Sequence, residues 1–450
     1  MLAMLKKAIG AWKPLAVLAL IIAVYFFPGA HDRINNRLDD FRQQVKYAVN
    51  PPQNAVFLPT QQAAIDAIVS ATMQAHALAQ TPSATPNAPS TGSASSPKST
   101  PAPKPTALPA TVTLPGVKYV DQFDRWNYCA PSNLTMALNF WGWKGNRDDV
   151  AKIVKPGEND ASKNFIDRGK SDKNVMPYEL VDFVNNETEY QALYRYGGDA
   201  QLFKTMLANG FPMMAEKGIY ENDTTNRQSW MGHYQFVTGY DDVSQTFLVQ
   251  DTYLKGPNYH VPYSDFVEGW RAFDRVFIVV YPADRQDEVM SLLGSYTDPK
   301  WSAQHALDVT DQEIKGLSAA PLFFAWFAKG TSLVALQQYV DAANAYDKAF
   351  SVYATLDPNY STRPWRMMWY QTGPYWAYYY SGRYQDVIDL ANYTLDKTTG
   401  TPTLEESLYW RGLAEYAIGN TSAGLGDVQR AAYYNKYFQA AIAKLQEWGQ

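Results

Sequence analysis

Hydrophobic and polar residues change their spacing several times along the chain, and each change marks a different kind of segment. An uncharged apolar run occupies residues 14–27. The segment that follows, 32–48, is mostly polar, and its few apolar residues recur at helical spacing. Residues 61–79 have the pattern of a second short helix. From residue 81 to about residue 109 the chain is almost wholly Ser, Thr, Pro, Ala, Gly and Lys, which predicts a disordered linker because too few apolar side chains are present to pack.

The region from about residue 114 to residue 282 mixes two periodicities. Helix-like spacing comes first, and the two-residue alternation typical of strands comes afterwards. Helices followed by an antiparallel sheet predict an α+β fold. The helix-like stretches are 133–141, 177–185 and 200–209, and the strand patterns are 211–216, 233–240, 246–250 and 274–281.

From about residue 300 the chain changes to helices rich in Ala, Tyr and Leu. The pattern resembles a tetratricopeptide-like unit of 34 residues. In a second copy of this unit Tyr384 takes the position of Tyr339, and in a third copy Gly412 takes the position of Gly330. The interval between the two tyrosines is 45 residues, so the repeat is irregular. We interpret the aromatic run at 367–380 as helix-packing core, with a ligand groove as the alternative. The positions that fit one unit are Trp326, Gly330, Leu333, Tyr339, Ala342, Tyr346 and Ala349.

The N-terminal apolar run is preceded by lysines. The span from Ala8 to Phe27 is 20 residues long, which is enough to cross a bilayer, and it contains one lysine near its start. A cleaved signal peptide is the alternative, but a cut after Ala30 would put Pro28 at the third position before the cut, and a cut after Gly29 would put the bulky Phe27 there. We therefore predict an uncleaved anchor, and the positive-inside rule places residues 31–450 outside the cytoplasm. The protein is then expected at the cell membrane as a single-pass protein, with secretion as the alternative.

Composition excludes several classes of function. The chain has 39 Lys and Arg against 44 Asp and Glu, a net charge of −5, and no long basic block that would bind nucleic acid. Its one cysteine excludes an intramolecular disulfide and any cysteine-cluster zinc site. The five histidines show no metal-ligand spacing. We predict neither a metal nor a cofactor.

The single cysteine, Cys129, precedes a helical pattern. Pro131 is tolerated in a first helical turn, and Leu134 and Leu138 are spaced to bury one face of the helix that follows. A cysteine at a helix N-terminus is favoured as the thiolate by the helix dipole and free backbone N–H groups. A buried structural cysteine is the alternative, but it gains nothing from this placement.

A histidine and an aspartate flank a predicted β-hairpin further along the chain. His233 lies nine residues before Asp242, and Asp251 lies nine residues after it. An antiparallel hairpin with its tip near Asp242 brings the two side chains within a residue or two of direct opposition. The carboxylate can then orient the imidazole while the other ring nitrogen faces a thiol. Gln122 is the candidate donor to an oxyanion, and Asn127 is its rival.

Four segments together resemble a known family: DQFDRWNYCAPSNLTMAL, NVMPYELVDFV, LFKTMLANGFPMMAEKG, and GHYQFVTGYDD with LVQD. They are similar to the cysteine peptidase family 39 domain, a papain-like fold best known for cutting double-glycine leader peptides. The resemblance covers roughly residues 114–284 and implies Cys129 as nucleophile, His233 as base, Asp251 as orienting carboxylate and Gln122 as oxyanion donor.

The chain departs from the family pattern at two positions, where Ala130 and Thr252 replace the usual Gly and Pro. Leader-cutting members are usually fused to an ABC exporter, and this chain has no P-loop motif. Leader processing is therefore not implied.

These observations predict a membrane-anchored extracytoplasmic cysteine peptidase. Its expected partners are a peptide or protein substrate, the membrane, and a protein bound to the helical repeats. The rivals are a catalytically silent peptide-binding protein and acyl transfer on cell-wall peptides. The predicted segments are an anchor at 1–30, a short helical segment at 31–80, the linker at 81–113, the α+β papain-like domain at 114–284 and all-α tetratricopeptide-like repeats at 300–450.

Overall fold

The computed structural model describes residues 41–60 and 107–450 of the chain, with the exception of Trp126 and Thr224. The predicted anchor at 1–30, the predicted helix at 61–79 and most of the predicted linker lie outside this range. Within the described part of the chain, no helix is both long enough and apolar enough to cross a bilayer.

An antiparallel sheet forms the centre of the first module. The strand order is β2-β7-β3-β4-β5-β6, and β1 pairs with β4. Because side chains alternate along each strand, neighbouring residues enter different cores: Met213 and Val279 belong to one hydrophobic cluster, and Met214 and Ile278 to another. The strands are β1 (Thr111–Thr113), β2 (Tyr190–Arg195), β3 (Met213–Asn222), β4 (Gln228–Asp241), β5 (Thr246–Gln250), β6 (Tyr259–Pro262) and β7 (Phe277–Pro282).

Helices cover both sides of this sheet, as an α+β fold requires. Leu134 and Leu138 of α1 pack into the same cluster as Ile278, whereas Phe203 of α5 and Trp270 of α6 pack into the cluster that contains Val279. The helices of this module are α1 (Cys129–Trp141), α2 (Arg147–Val154), α3 (Phe165–Arg168), α4 (Pro177–Glu187), α5 (Ala200–Ala208), α6 (Tyr263–Arg271) and α7 (Gln286–Leu293).

The α+β class is confirmed, but the order of the elements corrects the prediction of helices first and strands afterwards. Strand β2 lies between α4 and α5, and α6 lies between β6 and β7. The predicted linker also extends too far, since Thr111–Thr113 pair with Gly239–Asp241. These three residues form backbone hydrogen bonds to β4. The sequence places them in the linker because a stretch of three residues is too short to show the alternation of a strand.

The second module consists of helices in its described residues. Gly330 of α9 contacts the ring of Tyr346 in α10, and Gly412 of α14 contacts Val428 of α15, so both glycines allow neighbouring helices to approach closely. The tetratricopeptide-like repeat itself stays a prediction. The helices are α8 (Pro299–Glu313), α9 (Ala319–Ala335), α10 (Tyr339–Thr355), α11 (Met367–Tyr370), α12 (Gly373–Tyr380), α13 (Tyr384–Asn392), α14 (Glu405–Ala417), α15 (Thr421–Tyr434) and α16 (Gln439–Glu447).

The two modules share a hydrophobic core. Trp230 of β4 is buried and stacks against Phe324 of α9, with ring centroids 5.5 Å apart and planes at 25°. Beside it, Arg366 forms an ion pair with Asp223 at 2.7 Å. Trp230 belongs to the same cluster of buried residues as the aromatic side chains of the second module. The sheet and the helices are therefore held together by buried apolar area and not by a surface contact alone.

Residues 41–60, whose role is unreadable from the sequence, cross the second module as a strap. Residues 41–49 are helical, and the Tyr47 hydroxyl donates to the Thr398 carbonyl at 2.8 Å. Phe57 packs edge-on against Phe350 with ring centroids 4.9 Å apart. These buried contacts anchor the strap to residues that lie 293 and 351 positions further along the chain.

We expect Trp230→Ala to lower the free energy of unfolding by about 3–5 kcal/mol, because the substitution leaves a cavity in the shared core. Thermal unfolding followed by circular dichroism should show one transition at a lower temperature. Trp301→Ala is the control, since its side chain is 40% exposed and its loss should cost less than about 1 kcal/mol. Two separate transitions in the unmodified protein would contradict a shared core.

Candidate active site

Cys129 is the first residue of α1, as the sequence predicts. Its side chain is partly exposed, and its backbone N–H has no acceptor within the helix because it lies in the first turn. The Asn133 side chain connects this helix to the sheet. Its Nδ2 donates to the Cys129 carbonyl at 2.8 Å and to the Tyr234 carbonyl at 2.9 Å. The thiol is thereby fixed beside the strand that carries His233.

His233 lies on β4, and Asp251 follows the last residue of β5. Phe236 pairs with Gln250 in this hairpin, so Asp251 lies opposite Gln235, two residues from His233. The hairpin prediction of near opposition is confirmed. His233 Nε2 lies 3.2 Å from Asp251 Oδ2, which is an ion-pair distance although the N–H···O angle is outside hydrogen-bond geometry. This contact leaves Nδ1 as the ring nitrogen for the thiol.

The carboxylate of Asp251 is held by other groups as well. Gln235 Nε2 donates to Oδ2 at 2.8 Å, and the backbone N–H of Tyr253 donates to Oδ1 at 2.9 Å. Both His233 and Asp251 are 3% exposed. A buried carboxylate needs such donors, because water is not available to replace them.

Burial and pairing act in opposite directions on the three ionisable groups. Burial favours the neutral thiol of Cys129, but the hydrogen bond and positive charge of His233 outweigh it and lower the pKa of the thiol. Burial also disfavours the His233 imidazolium, yet Asp251 and Cys129 together raise its pKa to about 10. The pKa of Asp251 is lowered despite its burial, because His233 and Gln235 stabilise the carboxylate. The arrangement therefore favours a thiolate–imidazolium pair near neutral pH.

Gln122 lines the same cavity as Cys129 and His233. The Thr252 hydroxyl donates to Gln122 Oε1 at 2.9 Å, and the Gln122 backbone N–H donates to the Thr252 carbonyl at 2.9 Å. With its oxygen engaged, the amide has Nε2 left as a donor. The rival Asn127 also lines the cavity, but its Nδ2 donates to the Lys173 carbonyl at 3.3 Å.

Two charged residues beside the site were missed by sequence reasoning. Glu216 is 3% exposed and lines the cavity, and its pKa is raised by burial and by the charge of Cys129. Lys217 lies opposite His233 in the strand pairing, and burial lowers its pKa to about 8. A signal was present, since Glu216 ends the predicted strand at 211–216 and Lys217 directly follows it, and charged residues are unusual in a buried strand.

The cleft of about 200 Å³ has walls from three distant parts of the sequence. Gln43 and Tyr47 come from the strap, and Arg366 and Tyr370 come from the second module. At Gly232, directly before His233, an added Cβ would lie 2.8 Å from the Tyr370 ring. The helical module therefore forms one wall of the cleft.

The paired geometry predicts how Cys129 reacts with iodoacetamide. At pH 7, labelling of the unmodified protein should be faster than labelling of an ordinary thiol, because the lowered pKa of the Cys129 thiol raises the fraction present as thiolate. In His233→Ala, burial without an imidazolium raises the pKa of the thiol towards or above about 8.5. The rate at pH 7 should then fall roughly tenfold or more and decline further with each unit of acid.

His260→Ala is the matched control, because His260 lies on β6 of the same sheet and is exposed. It should label like the unmodified protein. Equal rates in His233→Ala and His260→Ala would show that Cys129 and His233 do not act as a pair.

Comparisons with known proteins find similarity over the first module. Residues 115–278 match the model of the Peptidase_C39 like family. No curated protein matches the chain. A structure assigned as a C39-like peptidase from Bacillus anthracis is 15% identical and aligns over 38% of this chain and 96% of its own, with a TM-score of 0.30. Xylellain, a cysteine protease from Xylella fastidiosa, is 16% identical over 39% of this chain and 87% of its own, with a TM-score of 0.25. The segment that contains Cys129, His233 and Asp251 is thus similar to the Peptidase_C39 like family.

Proposed function

We propose that the protein is a cysteine peptidase that hydrolyses peptide bonds through Cys129, His233 and Asp251. The observation that carries this proposal is that Cys129, at a helix start, and His233 line one cleft, with the imidazole 3.2 Å from the buried carboxylate of Asp251. The match of residues 115–278 to the Peptidase_C39 like family supports it.

In the proposed mechanism the Cys129 thiolate attacks the carbonyl carbon of the scissile peptide bond. The carbonyl π electrons move to oxygen, and the tetrahedral oxyanion accepts hydrogen bonds from Gln122 Nε2 and the Cys129 backbone N–H. His233 gives its proton to the leaving amine as the C–N bond breaks, which leaves a thioester. His233 then takes a proton from water, the hydroxide adds to the thioester, and the thiolate leaves with the carboxylic acid product released. Asp251 holds the ring and stabilises the imidazolium throughout.

Thr252 has a positioning role in this mechanism. Its hydroxyl fixes the Gln122 amide with the oxygen turned away as an acceptor. An amide that is free to rotate would present its oxygen to the oxyanion part of the time, and the two would repel each other.

The peptidase proposal predicts cleavage of short peptides by the full-length chain, measured by mass spectrometry of the products of a peptide mixture. Cys129→Ala should abolish cleavage. Gln122→Ala should lower kcat by about 10²–10³, the usual cost of removing one oxyanion donor. Asn127→Ala is the matched control, and its kcat should be nearly unchanged if Gln122 is the donor.

A peptidyl chloromethyl ketone should modify Cys129 in the same preparation. Modification without cleavage of any peptide would contradict hydrolysis and favour the rival peptide-binding function. A product in which the acyl group has passed to an added amine would identify the other rival, acyl transfer of the kind used on cell-wall peptides.

We further propose that the peptidase is anchored in the cell membrane by residues 8–27 and faces away from the cytoplasm. The apolar composition of this segment and the lysines before it support the proposal. Sodium carbonate extraction should leave the protein in the membrane fraction, and protease added to intact spheroplasts should degrade it, whereas a cytoplasmic control protein survives. A shortened, soluble form outside the cell would show that the segment is cleaved.

We also propose that a protein partner binds the helical repeats.

A further inference from the structure

A second cavity, of about 510 Å³, lies where the two modules meet. It has no lining residue in common with the cleft that contains Cys129. Helices α2 and α4 of the first module form one side, and α12, α14 and the start of α16 form the other. The volume is within the usual range of small-ligand sites.

Aromatic rings cover much of the second-module side of this cavity. Trp376 and Trp410 lie with ring centroids 4.8 Å apart, and Tyr380 lies 5.9 Å from Trp376. Trp376 and Tyr380 are 39% and 52% exposed, although each has a large ring that would be stabilised by burial. The faces of Trp and Tyr rings carry partial negative charge and attract organic cations.

The charged side chains that line the cavity are all acidic. Glu179, Asp182, Glu187 and Glu406 line it, whereas no lysine or arginine among the described residues does so. A cavity that combines four carboxyl groups with aromatic faces is complementary to a positively charged group on an apolar arm.

Glu406 is the strongest single indication of a ligand. It is 93% buried, since only 7% of its surface is exposed, and within the described residues its carboxylate receives a hydrogen bond only from its own backbone N–H. Burial and the nearby charge of Glu179 raise the pKa of Glu406 to about 8. Near neutral pH the buried carboxyl group therefore carries a proton, which avoids the cost of an uncompensated buried charge. A bound ammonium group would favour the ionised form and displace that proton.

The nearest buried cation already has other partners. Lys155 Nζ donates to the backbone carbonyls of Gly169, at 2.6 Å, and Asp172. It does not line the cavity. Glu179 already accepts hydrogen bonds from the Met176 backbone N–H and from Asn435 Nδ2, which leaves Glu406 as the buried acidic side chain of the cavity that would pair with an external cation.

We propose that this cavity binds an alkylammonium group, either as a free amine or as the lysine side chain of a peptide. The ammonium lies against Glu406, and the alkyl arm lies along the cavity-facing surfaces of the Trp376 and Trp410 rings, which contact each other. Metal ions are a poorer fit, because in the described residues no group of three or more acidic, histidine or cysteine side chains has metal-binding geometry. The site is separate from the proposed peptidase chemistry and does not depend on it.

The experiment is isothermal titration calorimetry on the full-length chain with two pairs of probes. The first pair is n-pentylammonium and its neutral analogue n-pentanol. The second pair is Nα-acetyl-lysine N-methylamide and its norleucine analogue. Each cationic probe should bind at least tenfold more tightly than its neutral analogue. The tighter of the two cationic probes distinguishes a free amine from a lysine side chain as the source.

Glu406→Gln keeps the size of the side chain but cannot ionise when a cation binds, so it should weaken binding of the cationic probes by tenfold or more. Glu415→Gln is the matched control, since Glu415 lies on the same helix outside the cavity. Trp376→Leu supplies a second test at a partly exposed position, and it should also weaken binding. Equal binding of charged and neutral probes, or no change in either cavity variant, would overturn the proposal. Cys129 labelling should be unaffected in both variants, which separates failure here from failure of the peptidase proposal.

Discussion

Strand β4 is hydrogen-bonded along both of its edges, and the positions of the other functional groups depend on this constraint. β3 pairs with Gln228–Val237, β1 pairs with Gly239–Asp241 on the same edge, and β5 pairs with the opposite edge from Phe236 onwards. A slip of one residue would turn every side chain of β4 to the other face of the sheet. It would remove His233 from Asp251 and Trp230 from the shared core at the same time. The register that places His233 beside Asp251 is therefore also the register that joins the two modules.

The buried pair of His233 and Asp251 is stable only because its surroundings supply the hydrogen bonds that water would otherwise make. Gln235, directly opposite Asp251, gives the carboxylate a short hydrogen bond, and the backbone N–H of Tyr253 gives it another. Removing one partner of a buried ion pair usually costs about 3–5 kcal/mol, because the remaining charge is left uncompensated. The catalytic arrangement thus contributes to the stability of the fold in addition to its proposed role in chemistry. The rise in the pKa of His233 to about 10 means that this contribution is fully present below its unfolded pKa of about 6.5 and is lost as pH rises through 10.

Much of this site could be predicted from local sequence, because its parts are local features. A cysteine before a helical pattern and a histidine and an aspartate on the two arms of one hairpin need only short-range periodicity. The structure adds the irregularity between Val237 and Gly239, which leaves Asp251 opposite Gln235. Strand β2 was missed, because its six residues pair with β7, more than 80 residues away. The walls of the cleft were missed for the same reason. Tyr47 and Arg366 line the cleft, but they are far from Cys129 in the sequence, and local periodicity does not predict such tertiary contacts.

The shared core also holds one wall of the cleft in place, and this would limit how a substrate of the proposed peptidase reaches Cys129. Tyr370 contacts the backbone at Gly232, and Arg366 is fixed by Asp223 and by the Ser229 hydroxyl, so this wall is attached to β4 itself. Moving it away would expose the stacked face of Trp230 and break a buried ion pair, and both changes are costly. A fixed wall restricts which chains can lie beside the thiol, since a substrate must fit the existing space instead of opening it. Substrate selection by such a cleft depends on residues of the strap and the helical module as much as on the α+β module that carries the proposed catalytic groups.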